Sequence, residues 1–212
     1  NNSKWSIQFF FDYIEKEGID TKSLMLKIEK SIIAALISGL SVVRAHHFEC
    51  IKYHHTSYEL YGVDIIIDED LNPYIMEINI SPSMEATAKL DRGIKYPLLL
   101  DTLNMARIIK CNSKSKSPCN SMNDISSFFN KSITPERIKS VVIDRVDPWE
   151  NPVFADFVII RDFIEENIYT TKFRRVYPKR KNIDMFEKCF KEKIYLDIVF
   201  EKWIKMTDDM RF

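Results

Sequence analysis

The segment Tyr61–Ser83, YGVDIIIDEDLNPYIMEINISPS, reads as two strands joined by a tight acidic turn. Period-two alternation places Tyr61, Val63, Ile65 and Ile67 on one face, and Tyr74, Met76, Ile78 and Ile80 follow the same rule on the return strand. A turn over Asp68–Pro73 pairs Ile67 with Tyr74, and hence Asp64 with Glu77 and Gly62 with Asn79. The face away from the core then carries two carboxylates directly opposite each other, with an amide one step along. Like charges in that position destabilise a sheet unless something compensates them. A hard divalent cation such as Mg²⁺, which takes carboxylate and carbonyl oxygens, is suited to do so. Asp is depleted from strand interiors, Ile66 and Ile75 are expected to share and partly cover the acidic face, and Gly62 leaves room for a ligand to approach. An ordinary solvated hairpin face with surface acids is the alternative reading.

Composition narrows the class. A hydrophobic content of 45% supplies a packed core and excludes a disordered chain. Lys plus Arg equals Asp plus Glu, at 31 each, so net charge argues for neither nucleic acid nor membrane binding. Gly is scarce, and no glycine-rich phosphate loop is present. The longest apolar run, IIAALISGL at 32–40, is far shorter than the roughly 20 residues that span a bilayer. Cys50, Cys111, Cys119 and Cys189 form no CxxC pair, which points to a reducing, cytosolic setting. There is no signal-peptide pattern and the first residue is Asn, so the sequence reads as a piece of a longer protein.

Outward from the hairpin, residues 3–17 are predicted to be helical, with Trp5, Phe9, Phe10, Tyr13 and Ile14 as a core stripe and Gly18 as the stop. A second helix starts after Asp20 or Thr21 and runs to about Ala45. Its stripe of Leu24, Ile28, Ile32, Ala35, Leu36 and Gly39 is expected to pack on the sheet. All four histidines, His46, His47, His54 and His55, lie in one run with Cys50. Read as a strand leading into the hairpin, this run cannot turn adjacent histidines toward one zinc ion. Ser81–Lys89 is a predicted loop and Leu98–Ile109 a helix, with Asp91 as a capping residue. Residues 111–130, rich in Ser, Asn and Lys, read as a linker. Helices are predicted from Thr134, over 152–168, and from Ile183 to about Met206. Between the last two lies KFRRVYPKRK at 172–181, a basic tract without acids.

Order and spacing along the chain add a family resemblance. YGVD at 61–64, MEIN at 76–79 and ISPSM at 80–84, flanked by SKW at 3–5, LDRGIKYPLL at 90–99 and DTLNMARI at 101–108, resemble the tubulin tyrosine ligase-like family. The flanking segments are most similar to its polyglutamylase branch. The likeness covers residues 3–109 and continues more weakly through 134–206, by way of TPERIKSVV and KFRRVYP.

The resemblance implies an α+β fold: the C-terminal portion of an ATP-grasp fold, an antiparallel sheet with packed helices, followed by a helical extension. The corresponding partition is 1–110 for the ligase part, 111–133 for a flexible linker or insertion, and 134–212 for a helical extension with the basic tract. It also implies that Asp64, Glu77 and Asn79 are Mg²⁺ ligands holding the phosphates of ATP, and that Lys95 neutralises a substrate carboxylate. A solvated helix-surface lysine is the alternative for Lys95. Lys172, Arg174, Arg175, Lys179, Arg180 and Lys181 are implied to attract acidic tubulin tails.

The implied activity is ATP-dependent addition of free glutamate to side-chain carboxylates of those tails through an acylphosphate. No nucleic acid or membrane is involved, and the setting is the cytoplasm and the microtubule cytoskeleton, including cilium or basal body. A tubulin glycine or tyrosine ligase would share the same metal residues, and a non-catalytic microtubule-binding fragment is a further alternative. The family's nucleotide-clamping strands and lysines are expected to precede Asn1, so this segment alone is not expected to turn over.

Overall fold

Two antiparallel strands and a long helix organise the computed structural model, which describes residues 4–50, 58–106, 147–168, 171–190 and 193–206. The element order is α1 (Ile7–Lys16), α2 (Thr21–Cys50), β1 (Tyr61–Ile67), β2 (Pro73–Ile80), α3 (Lys89–Met105), α4 (Phe154–Ile168), a short 3-10 helix (Asp184–Cys189) and α5 (Tyr195–Lys205). The fold is therefore α+β, with one two-stranded sheet among the described residues. The predicted linker at 111–133 and the helix start at Thr134 lie outside the described residues.

Ser6 caps α1 by accepting a hydrogen bond from the Phe9 amide at 3.1 Å, so the helix starts after SKW rather than within it. Gly18, at φ +82°, ends it. Asp20 then accepts from the Lys22 and Ser23 amides and starts α2. The 30 residues of α2 extend about 45 Å. That length lets one helix serve two cores. Leu24 and Ile28, with Ile14 of α1, are buried beneath Ile65, Ile67 and Leu71 of the hairpin. Further along, Ile33 and Ile37 are buried with Phe186 against Val176, Tyr177 and Phe190. A third cluster joins α4 to α5 through Ile159, Ile160, Tyr195 and Val199. There Tyr195 donates to buried Asp156 at 2.5 Å.

Several expectations need correction. Only Ile14 of the predicted α1 core stripe is buried. Trp5, Phe9 and Tyr13 are about half exposed and stack edge to face on one another instead. Residues 46–50 continue α2 rather than forming a strand; 51–57 are not described. Helix α3 starts at Lys89, well before Leu98, and runs through Pro97 despite the missing amide donor. The helix expected from Ile183 to Met206 is two: the 3-10 helix ends at Cys189, and α5 starts where Asp197 accepts from the Ile194 amide at 3.0 Å.

Because Leu24 is 2% exposed at the junction of α1, α2 and the hairpin, Leu24→Ala is expected to cost about 2–4 kcal/mol in urea unfolding. Leu26→Ala, at a position 42% exposed, should stay within about 0.5 kcal/mol. Equal losses would contradict this assignment of the core.

Candidate functional site

The hairpin register pairs Asp64 with Glu77 and Gly62 with Asn79, as the sequence indicates. The turn end differs. Ile67 faces Pro73, Ile66 faces Tyr74 and Ile65 faces Ile75, with an irregularity between Asp64 and Ile65. Met76 is thus the extra residue of a β-bulge, which shifts one end of the ladder by one position and leaves the acidic end in place. In consequence Ile75 joins Ile65 on the inner face, while Tyr74 moves to the acidic face beside Ile66. Ile66 and Tyr74 are each 55% exposed, so they do not cover the acids among the described residues.

Turn geometry anchors this arrangement. Asp68 accepts from the amide of Asn72 at 2.7 Å and from its side-chain nitrogen at 3.2 Å. Lys27 of α2 donates to the Leu71 carbonyl and to Asn72 Oδ1, both at 3.1 Å. The strands are therefore fixed to α2 both by apolar packing and at the turn.

On the outer face, Asn79 Nδ2 donates to Glu77 Oε1 at 3.0 Å. That bond is the main reason the Glu77 carboxyl titrates below its usual range. The adjoining Asp64 carboxyl, within hydrogen-bonding reach, adds to the effect, and slight desolvation opposes it. Among the described residues, neither Asp64 nor Glu77 has a Lys or Arg partner. Two carboxyl groups and an amide oxygen on one open strand face are hard oxygen donors of the kind Mg²⁺ takes, so the residues present fit that ion.

Gly62 has a different role from the expected one. A Cβ there would come within 3.0 Å of Pro82 Cβ, so the glycine admits the Pro-Ser loop rather than a ligand. Ser81, at φ +53°, makes the bend into that loop. Helix α3 then holds the loop by its backbone. Arg92 donates to the Ala86 and Thr87 carbonyls, Lys95 to the Glu85 carbonyl at 2.5 Å, and Asp91 accepts from the Ala88 amide at 3.3 Å. Asp91 is a cap, as expected. Lys95 braces the chain just after the acidic strand.

The basic tract is divided in its roles. Arg174 pairs with buried Glu29 of α2. Arg175 lies over the Phe163 ring at 3.4 Å from its centroid, donates to the Phe163 carbonyl and pairs with Glu166 at 3.0 Å. Lys172, Lys179, Arg180 and Lys181 have no ion-pair partner among the described residues. Asp101, which sequence reasoning missed, is fully buried and holds the start of this tract. Its carboxylate accepts from the amides of Thr171 (2.9 Å), Lys172 (2.6 Å) and Phe173 (3.2 Å) and from Thr171 Oγ1 (3.0 Å). The Lys172 amide contributes most to holding the Asp101 carboxyl below its ordinary value. Its partners lie some seventy residues away in sequence, so no local spacing marks it.

Another acidic group, Asp184, Glu187 and Glu201, also comes together. Lys193 bridges Glu187 and Glu201, and Lys205 bridges Asp184 and Glu201, so each carboxylate of that cluster already has a lysine partner. A cavity of about 240 Å³ beside it, lined by Ile37, Leu40, Tyr177 and Phe200, is rimmed by charges that are likewise paired, including Arg44 with Asp197. No helix among the described residues is long and apolar enough to cross a membrane.

Comparison with known proteins agrees with the family resemblance. The profile of the tubulin-tyrosine ligase family matches residues 1–116. Over 97% of its length the chain is 29% identical to tubulin polyglutamylase ttll-4 of Caenorhabditis elegans, of which it covers 36%. It is 38% identical over 103 residues to tubulin polyglutamylase ttll-5 of the same organism, covering 49% of this chain and 14% of that protein. Similarity to human tubulin monoglutamylase TTLL4 is 23% over 94% of the chain and 18% of that protein. The chain thus spans about a third or less of these relatives.

Asp101 supplies a pH prediction. Its depressed carboxyl contributes stability that is complete above about pH 4 and is lost as pH falls through the lowered value. Asp101→Asn should therefore lower the Tm near neutrality, with the gap to the wild-type protein narrowing only below about pH 4. A gap unchanged from neutral to strongly acidic pH would contradict the assigned charge.

Proposed function

Because the chain belongs to the tubulin-tyrosine ligase family, we propose that it is the part of an ATP-grasp glutamate ligase that carries the metal ligands and engages tubulin tails. One observation carries this reading. Asp64 and Glu77 lie opposite each other on an open strand face, Asn79 is bonded to Glu77, and no cationic partner is present among the described residues.

In this reading Asp64, Glu77 and Asn79 hold Mg²⁺ together with the phosphates of ATP. When bound there, the ion compensates the negative charge that phosphoryl transfer spreads over the phosphate oxygens. Asn79 orients the Glu77 carboxylate by donating to its Oε1. The bulge at Met76 and the packing on α2 hold both strands in the register that places the donors on one side. Rigid strands set such geometry better than loops. Lys95 and Arg92 keep the following loop in place, and the unpaired lysines and Arg180 of the basic tract attract the acidic tail.

The overall reaction takes place in two balanced steps. An oxygen of a tail side-chain carboxylate bonds to the γ-phosphorus of ATP and displaces ADP. The amine nitrogen of free glutamate then bonds to the resulting acyl carbon, releasing phosphate and a proton. The relatives named as glutamylases favour glutamate over glycine or tyrosine as the incoming amino acid. A cytoplasmic, microtubule-associated setting follows from the same reading.

In the full-length protein, Glu77→Gln is expected to lower glutamate transfer to tubulin by about two orders of magnitude while microtubule cosedimentation persists. Undiminished transfer would remove Glu77 from the metal site.

A further inference from the structure

Two ends of α3 hold two different segments. Near its start, Arg92 and Lys95 hold the backbone of the loop that follows the acidic strand. Near its end, Asp101 holds the backbone of Thr171–Phe173, where the basic tract begins. From Arg92 to Asp101 the helix rises about 14 Å.

We infer that Asp101 is a positioning residue for acidic-peptide binding: by fixing the backbone at Thr171–Phe173 it sets where Lys172 and the unpaired cations that follow are presented. This rests on reading those cations as the tail-binding surface. The geometry is that of an organiser. A fully buried carboxylate accepts three consecutive backbone amides and a hydroxyl, which consumes its charge on the main chain and leaves the Lys172 side chain exposed. Further on, Arg174 and Arg175 fasten the segment to α2 and α4, and Asn182 donates to the Val176 carbonyl at 2.7 Å and accepts from the Lys179 amide at 2.9 Å. Each internal bond fixes backbone or a paired arginine. Lys172, Arg180 and Lys181 remain exposed and unpaired among the described residues. Exposed cations held on an ordered backbone bind an acidic chain with less loss of conformational freedom than the same cations on a loose loop.

Binding is tested with the full-length protein and a fluorescein-labelled ten-residue glutamate peptide, read by anisotropy, so that the outcome does not depend on ligase turnover. Asp101→Asn is expected to weaken binding about fivefold at low salt. Neutralising Lys172, Arg180 and Lys181 together to Gln should weaken it as well. Adding Asp101→Asn to that triple variant should then produce little further loss, because Asp101 acts through those cations. Thr171→Ala removes one of the four hydrogen bonds and should give a smaller loss in the same direction. If Asp101→Asn fails to fold by circular dichroism, Thr171→Ala alone decides, and wild-type affinity in it overturns the inference. Undiminished affinity in a folded Asp101→Asn protein, or a full additional loss in the triple background, also overturns it, as does failure of the wild-type protein to bind the peptide. Loss of the metal-site reading would show separately, in the transfer assay of the Glu77 variant.

Discussion

The hairpin and the segment after the basic tract are both packed on one long helix, α2. Burial of Leu24 and Ile28 beneath Ile65 and Ile67 positions the hairpin, and burial of Ile33 and Ile37 against Phe186 positions the segment that follows the basic tract. A two-stranded hairpin is marginal by itself in water, so the acidic face keeps its register only while its other face is packed on α2. Polar bonds confirm the docking at both ends: Lys27 grips the turn, and Arg44 meets Asp197 of α5 at 2.6 Å. The acidic face and the basic tract are therefore parts of one packed arrangement, with Glu29 of the same helix pairing Arg174.

The acidic face was legible in the sequence because strand periodicity and turn position act locally. Asp64, Glu77, Gly62 and Asn79 stand where alternation places them. The turn end was not, since a bulge at Met76 leaves no compositional mark and silently exchanges Tyr74 for Ile75 on the inner face. Gly62 was singled out for the right property and the wrong neighbour: close approach is needed, but by Pro82. Helix α3 begins at Lys89, before the predicted Leu98, and runs through Pro97, while Trp5, Phe9 and Tyr13 of the predicted α1 core stripe face outward. Asp101 escaped entirely, since nothing local distinguishes an aspartate bonded to amides seventy residues away.

Stability and function pull against each other on the hairpin. The fold stabilises the inner face, whereas the outer face gathers two carboxyl groups that repel when both are ionised and receive only one amide in compensation. Elsewhere, Lys193 and Lys205 serve Glu187, Glu201 and Asp184, and four donors serve Asp101. What sets Asp64 and Glu77 apart is that they face each other across two strands without a cationic partner among the described residues, and the proposed cation site rests on that juxtaposition.

The central claim, that this pair holds a divalent ion, is tested most directly by counting ions. Electron paramagnetic resonance of Mn²⁺ titrated into the full-length protein with a non-hydrolysable ATP analogue reports bound metal without requiring turnover. The account predicts that the Asp64→Asn, Glu77→Gln double variant loses at least one equivalent of bound Mn²⁺ relative to the wild-type protein while remaining folded. Identical Mn²⁺ stoichiometry and affinity in the two proteins would contradict it.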